Sequence, residues 1–271
     1  MDPVVTVHRQ IWRESGLSEG DRIVPEETAL ALSYDAGTYA VMMGTPQNLE
    51  DFAIGFSLTE GIIDSVSEVQ SLEIVPQDEG IELRMWLARH NAERLQQRRR
   101  YVAGPTGCGL CGIDSIVEAM KPVAIVGAGI NAAPKQIMGA MQNLQPLQKL
   151  NTLTRAVHAA AFWQPDYGIM EIREDVGRHN ALDKLAGALA RKDIAASSGA
   201  VLLTSRVSVE MVQKTASIGA SIIVSVSAPT ALAIRMAERA GITLAAIARS
   251  DGFEIFTHTN RISTGEAANV A

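Results

Sequence analysis

The stretch that decides the fold is residues 200–248, AVLLTSRVSVEMVQKTASIGASIIVSVSAPTALAIRMAERAGITLAAIA. Short apolar runs alternate here with segments of helical spacing: strands are expected at 200–203, 221–226 and 243–248, and helices at 209–218 and 230–240. Strands that alternate with helices over short connections form a largely parallel sheet covered by the helices. This stretch therefore predicts a three-layer α/β arrangement.

The residues on either side extend that prediction. Two paired strands are expected at 156–162 and 167–171, followed by a helix that Asp175 caps and that runs through Ala190. The first 90 residues indicate a β-rich part with one helix. Its strands are expected at 28–34, 39–43, 69–75 and 80–87, with a hairpin turn at 35–37 and the helix at 48–63. Residues 88–100 are compatible with a further, basic helix.

The predicted fold class is thus a three-layer α/β sandwich with a mixed sheet and a smaller β-rich N-terminal subdomain. We place the N-terminal subdomain at residues 1–125 and the α/β subdomain at 126–271. The boundary falls in a soft region around residues 121–135, which contains Gly127, Gly129 and Asn131.

Composition excludes several classes of protein. Over 271 residues, 47% are hydrophobic and 20% charged, which is typical of a folded domain and not of disorder. The net charge of −6 argues against a nucleic acid as the default partner. The sequence has neither a signal-peptide start nor an apolar run of about 20 residues, so we expect a cytoplasmic protein that makes no membrane contact. Two cysteines exclude a disulfide framework.

Both cysteines, Cys108 and Cys111, lie in YVAGPTGCGLCG at 101–112, where four glycines predict a mobile loop. Such a pair serves as half a zinc site, as a redox dithiol or as a persulfide carrier, or it is an incidental pair of thiols. No second cysteine pair completes a zinc site, and the glycines fit a thioredoxin-like helix start poorly. Arg98–Arg100 lie just upstream, where they either favour a thiolate or form a solvated helix end.

Two constellations indicate anion binding. In EDVGRHN at 174–180, Arg178 and His179 stand in the first turn of the predicted helix, although simple capping by Asp175 explains the same pattern. Ser205 and Arg206 follow a predicted parallel strand, where α/β proteins usually bind ligands.

Near the C-terminus, an aromatic ring, hydroxyls and a guanidinium stand together at 256–261. This mixture suits base stacking and phosphate contact, although a polar tail has the same composition. The residues are Phe256, Thr257, His258, Thr259, Asn260 and Arg261.

Taken together, these blocks resemble the FdhD family, the accessory sulfurtransferases of formate dehydrogenase. The two signature blocks are TGCGLCG at 106–112 and EDVGRHNALDK at 174–184. Further blocks follow in family order: GFSLTEGII at 55–63, RRR at 98–100, HAAA at 158–161, Ser205-Arg206 with EMVQK at 210–214, and Thr257-His258 with Arg261.

The resemblance implies a cytidine-deaminase-like fold, a homodimer and a sulfur-transfer function. It implies that Cys108 receives sulfur from a cysteine desulfurase as a persulfide, and that Cys111 assists in an undefined role. The sulfur would pass to the metal of Mo-bis(molybdopterin guanine dinucleotide), bound as a substrate that matures the formate dehydrogenase catalytic subunit. By the same resemblance, residues 256–261 contact that cofactor.

The His-x-Glu pattern of metal-dependent deaminases is absent after His158, where Ala159 and Ala160 follow, so no permanent metal is expected. Two rival hypotheses remain: a cofactor-binding chaperone without sulfur chemistry, and a structural zinc protein.

Overall fold

A computed structural model describes residues 1–88 and 123–263 of the chain. Two predicted features lie outside the described residues: the glycine-rich loop with Cys108 and Cys111, and the arginine triplet Arg98–Arg100. The expected helix at 88–100 also falls outside them, apart from its first residue.

The described N-terminal residues form one antiparallel sheet, one mixed sheet and an α-helix. The first sheet is a two-stranded hairpin, and the second has the order β4-β3-β6-β5, in which β3 and β6 run parallel. The elements are β1 (Val4–Arg13), β2 (Gly16–Pro25), β3 (Thr28–Tyr34), β4 (Gly37–Gly44), α1 (Leu49–Thr59), β5 (Val69–Gln77) and β6 (Gly80–Leu87). The predicted turn at 35–37 is confirmed: Asp35 and Ala36 have φ of 48° and 63°, as tight hairpin turns require.

The rest of the described chain forms a six-stranded sheet with helices. Its strand order is β12-β11-β10-β9-β7-β8, with β9, β10 and β11 parallel and the other strands antiparallel to their neighbours. The elements are α2 (Pro134–Leu147), α3 (Lys149–Thr154), β7 (His158–Gln164), β8 (Gly168–Asp175), α4 (Arg178–Arg191), β9 (Ala200–Leu203), α5 (Val209–Ser217), β10 (Ile222–Ser225), α6 (Ala231–Ala240), β11 (Thr243–Arg249) and β12 (Gly252–Ile255).

Both faces of this sheet are covered. On one face, Leu185 of α4 and Met236 of α6 share a buried core with Ile223 of β10. On the other face, Ile137 of α2 packs in a core with Leu202 of β9. The predicted three-layer α/β fold with a mixed sheet and a β-rich N-terminal part is therefore confirmed. The division at residue 125 stays a prediction.

Helix α1 of the N-terminal part lies directly against α4. A Cβ atom on Gly55 would come within 1.7 Å of the Asp183 carbonyl oxygen, and one on Gly187 within 1.9 Å of the Asp51 carbonyl oxygen. The absence of both side chains is what lets the two backbones touch. Around this crossing, Lys214 of α5 binds Asp183 and Glu60, so a buried charge network joins α1, α4 and α5. Burial alone would lower the pKa of Lys214, but these two carboxylates raise it.

Helix α6 supplies a test of local stability. Thr230 is its N-cap residue, and the threonine hydroxyl accepts a hydrogen bond from the Ala233 N–H at 3.2 Å. We expect Thr230→Ala to lower the free energy of unfolding by about 1 kcal/mol, as for other lost N-caps. Ser208→Ala is the matched control, because Ser208 caps α5 without a side-chain hydrogen bond. Urea unfolding measures both; an equal loss in the two variants would contradict the assignment.

The sequence did not predict β1, β2, α2, α3 or β12. The hairpin strands carry many charged residues and remain largely exposed, so their apolar alternation is weak. Helix α2 contains Gly139 and Pro146, which disfavour helix in isolation. Among the described helices, none is long and apolar enough to cross a lipid bilayer.

Candidate functional site

Four of the residues predicted to bind an anion lie at one edge of the six-stranded sheet: Arg178, His179, Ser205 and Arg206. We call it the carboxyl edge, because the parallel strands β9, β10 and β11 end there. Ser205 and Arg206 follow β9; the Ser205 side chain is buried, whereas Arg206 is exposed. The Ser205 carbonyl accepts a hydrogen bond from the Ser225 hydroxyl at 2.6 Å, which ties this turn to the end of β10.

The start of α4 brings Arg178 and His179 to the same edge. Strand β7 runs antiparallel to both β8 and β9, so its first residue, His158, pairs with Asp175 beside the end of β9. Burial lowers the pKa of His158, and the positive charges of Arg178 and His179 lower it further, whereas Asp175 opposes them. Charges of both signs therefore act on His158 at this edge.

Glu210 at the start of α5 faces His179. Glu210 Oε2 lies 3.9 Å from His179 Nε2, within ion-pair reach, and both side chains are 14% exposed. The His179 side chain lowers the pKa of Glu210 to about 2. Glu210 is therefore a carboxylate at neutral pH.

The prediction that Asp175 caps α4 is wrong. Asp175 is the last residue of β8, and Gly177 is the N-cap residue, which makes no side-chain cap. The buried Asp175 carboxylate accepts four hydrogen bonds: from Lys184 Nζ at 2.6 Å, Asn180 Nδ2 at 3.0 Å, the Gly177 N–H at 2.7 Å and the Thr45 N–H at 3.0 Å. Its charge is compensated inside the fold, because the Lys184 and Asp175 side chains are both fully buried.

Glu174 also has a structural role that the sequence did not indicate. Its carboxylate accepts hydrogen bonds from the Leu150 and Asn151 N–H groups at 2.9 and 2.8 Å, at the start of α3. The EDVGRHNALDK block is therefore mostly a structural junction. Two of its polar side chains, Arg178 and His179, lie at the carboxyl edge, where His179 faces Glu210.

Several buried polar atoms at the carboxyl edge make no hydrogen bond. Five buried side-chain nitrogen or oxygen atoms among the described residues have no hydrogen-bond partner, and three of them lie here: Arg178 Nε, His179 Nε2 and Ser208 Oγ. A buried donor without a hydrogen bond costs free energy, and His179 Nε2 offsets part of that cost through its ion pair with Glu210.

The predicted cofactor segment 256–261 lies at the opposite, amino edge of the sheet. Strand β12 runs antiparallel to β11, and Phe256 donates its N–H to the Leu244 carbonyl near the start of β11. The seven residues of β11 span about 20 Å. Residues 256–261 and the carboxyl edge are therefore two separate zones, not one site.

Within that segment, two side chains already have protein partners. The Thr257 hydroxyl donates to the Ile242 carbonyl and accepts from the Leu244 N–H. Arg261 donates four hydrogen bonds, to the carbonyls of Gly127, Ala128 and Gly241 and to the Thr243 hydroxyl. The guanidinium thus anchors the chain that enters α2. Thr259 and Asn260 are exposed, His258 is half-buried with Nε2 2.8 Å from the Glu238 carbonyl oxygen, and Phe256 packs against the core.

Sequence reasoning did not assign His158 or Glu210 to a site. In the sequence, His158 belongs to the HAAA block and lacks the glutamate of a deaminase zinc pattern; in the structure it begins β7. Its position could have indicated a site. His158 lies on β7, the strand next to the end of β9, and pairs with Asp175 of β8. Among the described residues, no group of three His, Cys, Asp or Glu side chains is placed to hold a metal ion.

The fold and the site define a three-layer α/β protein with a mixed sheet. Arginine, histidine and serine side chains lie at one edge of that sheet. The chain belongs to the FdhD/NarQ family, whose model matches residues 25–263. It is 51% identical over 257 residues to the sulfur carrier protein FdhD of Agrobacterium fabrum, covering 94% of this chain and 95% of that one. The sulfur carrier protein FdhD of Cupriavidus necator is 48% identical, covering 93% and 87%.

A solved structure shares this fold. It is that of a protein from Desulfotalea psychrophila, proposed to be a formate dehydrogenase accessory protein. The TM-score is 0.75 at 25% sequence identity, covering 97% of this chain and all of the other.

Proposed function

We propose that this protein is a sulfur carrier for formate dehydrogenase, which takes sulfur from a cysteine desulfurase and delivers it to the metal of Mo-bis(molybdopterin guanine dinucleotide). The observation that carries the proposal is family membership over residues 25–263, with close relatives named sulfur carrier proteins. The glycine-flanked Cys108 and Cys111 supply the sulfur chemistry that this role needs.

The first step is thiol–persulfide exchange at Cys108. The Cys108 thiolate attacks the terminal sulfur of the donor's cysteine persulfide; the donor's S–S bond breaks and its cysteine leaves as a thiolate. The product is a persulfide on Cys108, and no net oxidation or reduction takes place.

Delivery of that sulfur as sulfide needs two electrons. The thiolate of Cys111 supplies them when it attacks the inner sulfur, which breaks the persulfide bond and leaves a Cys108–Cys111 disulfide. A thiol reductant then returns the pair to the dithiol. In these steps Cys111 has a defined role: its thiolate releases the sulfide. The metal of the cofactor substrate then receives that sulfide.

We propose that a long, anionic substrate contacts both zones of the sheet. A bis(guanine dinucleotide) cofactor carries two pyrophosphate groups, which need local cations and not a basic protein. Arg178 and Arg206 offer these at the carboxyl edge. His258, Thr259 and Asn260 offer polar contacts about 20 Å away. We further propose that the protein acts in the cytoplasm as a homodimer, in which two copies present these zones to the two halves of the cofactor.

The sulfur adduct tests the proposal. The purified chain is incubated with a cysteine desulfurase and cysteine, and its intact mass is measured. We expect the wild type to gain the mass of one sulfur atom, Cys108→Ala to gain none, and Cys111→Ala to keep the adduct because it lacks the thiolate that releases sulfide. An unchanged adduct in Cys108→Ala would contradict the assignment.

The rival function, a chaperone that binds the cofactor without sulfur chemistry, predicts a different result in cells. Cys108→Ala would then still yield active formate dehydrogenase. We expect loss of formate dehydrogenase activity in that strain while the Cys108→Ala protein accumulates at its normal level.

A further inference from the structure

Strands β1 and β2 form a largely exposed hairpin, residues 4–25, which we call the arm. Its root is anchored: Arg22 Nη2 donates a hydrogen bond to the Thr154 carbonyl at the end of α3, and the Glu26 N–H donates to the Pro3 carbonyl. The side-chain hydrogen bonds further out join one strand of the arm to the other. With ten residues in each strand, the arm is about 33 Å long.

The outer end of the arm carries two exposed apolar side chains, Trp12 and Leu17, which we call the tip pair. The two residues are direct cross-strand partners, and they are 75% and 64% exposed. A two-stranded hairpin alone is marginally stable in water, because it buries little apolar surface. A long arm that ends in an exposed tryptophan and leucine is therefore typical of a surface that another protein covers.

The tip pair and the root of the arm share one face. Side chains alternate along a strand, so Trp12 lies on the same face as Val4, and Leu17 on the same face as Ile23. At the root this face is partly covered by the rest of the fold, since Val4 and Ile23 are half-buried. The arm thus has one face that is apolar at both ends and is covered by its own chain at the root.

An apolar groove of about 500 Å³, which we call the root groove, lies beside the root of the arm. Its walls come from the arm, α2, α3 and β8. The apolar residues that line it include Val4, Leu147, Leu150, Leu153 and Ile172. Leu147 and Leu153 are 40% and 55% exposed, so the groove opens to the surface.

We propose that the arm is a contact with a second copy of this chain, in which the tip pair of each copy packs into the root groove of the other. A two-fold axis through the middle of two antiparallel arms places each tip beside the root of the other arm, so both contacts form at once. The inference rests on the proposed function in one respect, since that function includes a homodimer.

The charges at the two ends of the arm are complementary. Arg13 and Glu14 stand beside the tip pair, and Asp2 and Lys149 line the root groove. None of the four has an ion pair within the part of the chain that the structure describes. In the antiparallel arrangement each tip brings one cation and one anion to a groove that offers one of each, which favours this pairing over others.

The size of the contact is also sufficient. A stable protein interface uses about 20–30 residues on each side. The two strands of the arm supply ten residues each, and the root groove supplies the others. The exchange therefore accounts for a whole dimer interface.

Analytical ultracentrifugation of the full chain tests the exchange. We expect the wild type to sediment as a dimer, with twice the chain mass of 29.0 kDa. The double variant Trp12→Ser/Leu17→Ser should weaken dimerisation about thirtyfold or more, as for a lost anchor residue. Tyr167→Ser is the matched control, because Tyr167 lies on the turn between β7 and β8 and is 75% exposed, like Trp12. This control should dimerise like the wild type.

Cross-linking shows which surfaces meet. In a Cys108→Ser/Cys111→Ser background, a chain with Leu17→Cys is co-expressed with a chain that carries Leu153→Cys, and the product is oxidised with oxidised glutathione. We expect a disulfide between the two chains, because the tip of one lies at the root of the other. Each chain expressed alone should link far less, since two tips, or two roots, lie at opposite ends of the paired arms. Tyr167→Cys in place of Leu153→Cys is the control and should not link.

The outcomes separate this inference from the proposed function. A monomeric wild type overturns it and leaves the tip pair as a surface for a different protein. A dimer that Trp12→Ser/Leu17→Ser does not weaken also overturns it, because the copies then pair through another surface. Neither result bears on the Cys108 adduct. Absence of that adduct overturns the sulfur-carrier proposal even when the arms exchange as expected.

Discussion

Lys184→Met should lower the free energy of unfolding by about 3–5 kcal/mol, the cost of removing one partner of a buried ion pair. The Lys184 ammonium lies 2.6 Å from Asp175 and 2.9 Å from the Thr45 carbonyl, with no exposed surface on either charged side chain. Methionine fills a similar volume but leaves the Asp175 carboxylate buried without a countercharge. Chemical denaturation monitored by circular dichroism measures the loss.

The control for this variant is Lys192→Met. Lys192 also pairs with a carboxylate, Glu171, but its side chain is 54% exposed. Exposed pairs contribute about 0–1 kcal/mol, so this variant should unfold close to the wild type. Similar losses in the two variants would show that the buried pair does not hold the junction between β4, β8 and α4.

Gly187→Ala should also destabilise strongly, by about 3 kcal/mol. The added methyl group would lie 1.9 Å from the Asp51 carbonyl oxygen, so α1 and α4 must separate. Overpacking costs about 1–3 kcal/mol in general, and here the obstacle is backbone, which cannot rotate away. The displaced helices also carry the contacts of Lys214 with Asp183 and Glu60, which would lengthen.

The same substitution at Gly139 should stabilise the protein. Gly139 lies inside α2, and a Cβ there meets no atom within 4 Å. Since alanine is the better helix former, Gly139→Ala should raise the free energy of unfolding by about 0.5–1 kcal/mol. Thermal unfolding of the two variants side by side checks the pair. A loss at Gly139, or no loss at Gly187, would contradict the packing argument.

Lys184 is the last residue of the block at 174–184, and Gly187 follows it on α4. Asp175, Asn180 and Lys184 join the N-terminal sheet to α4, and Gly187 lets α1 approach. Arg178 and His179 are held at the carboxyl edge by this rigid support. From the sequence, the block looked like a helix start with a capping carboxylate. The burial of Asp175 could not be foreseen, because Thr45, which donates to it, is 130 residues away.

The sequence by itself determined the alternation of strands and helices predicted over residues 156–248, the hairpin turn at Asp35-Ala36 and the family. Each depends on local periodicity, on turn residues or on motifs that are read along the chain. Only the tertiary structure decided which polar groups meet. It brought His158 and Glu210 to Arg178 and His179, and it placed Phe256–Arg261 at the other edge, with Arg261 bound to backbone carbonyls. The physical reason is that strand order and direction, which set those distances, depend on long-range pairing and leave no local mark in the sequence.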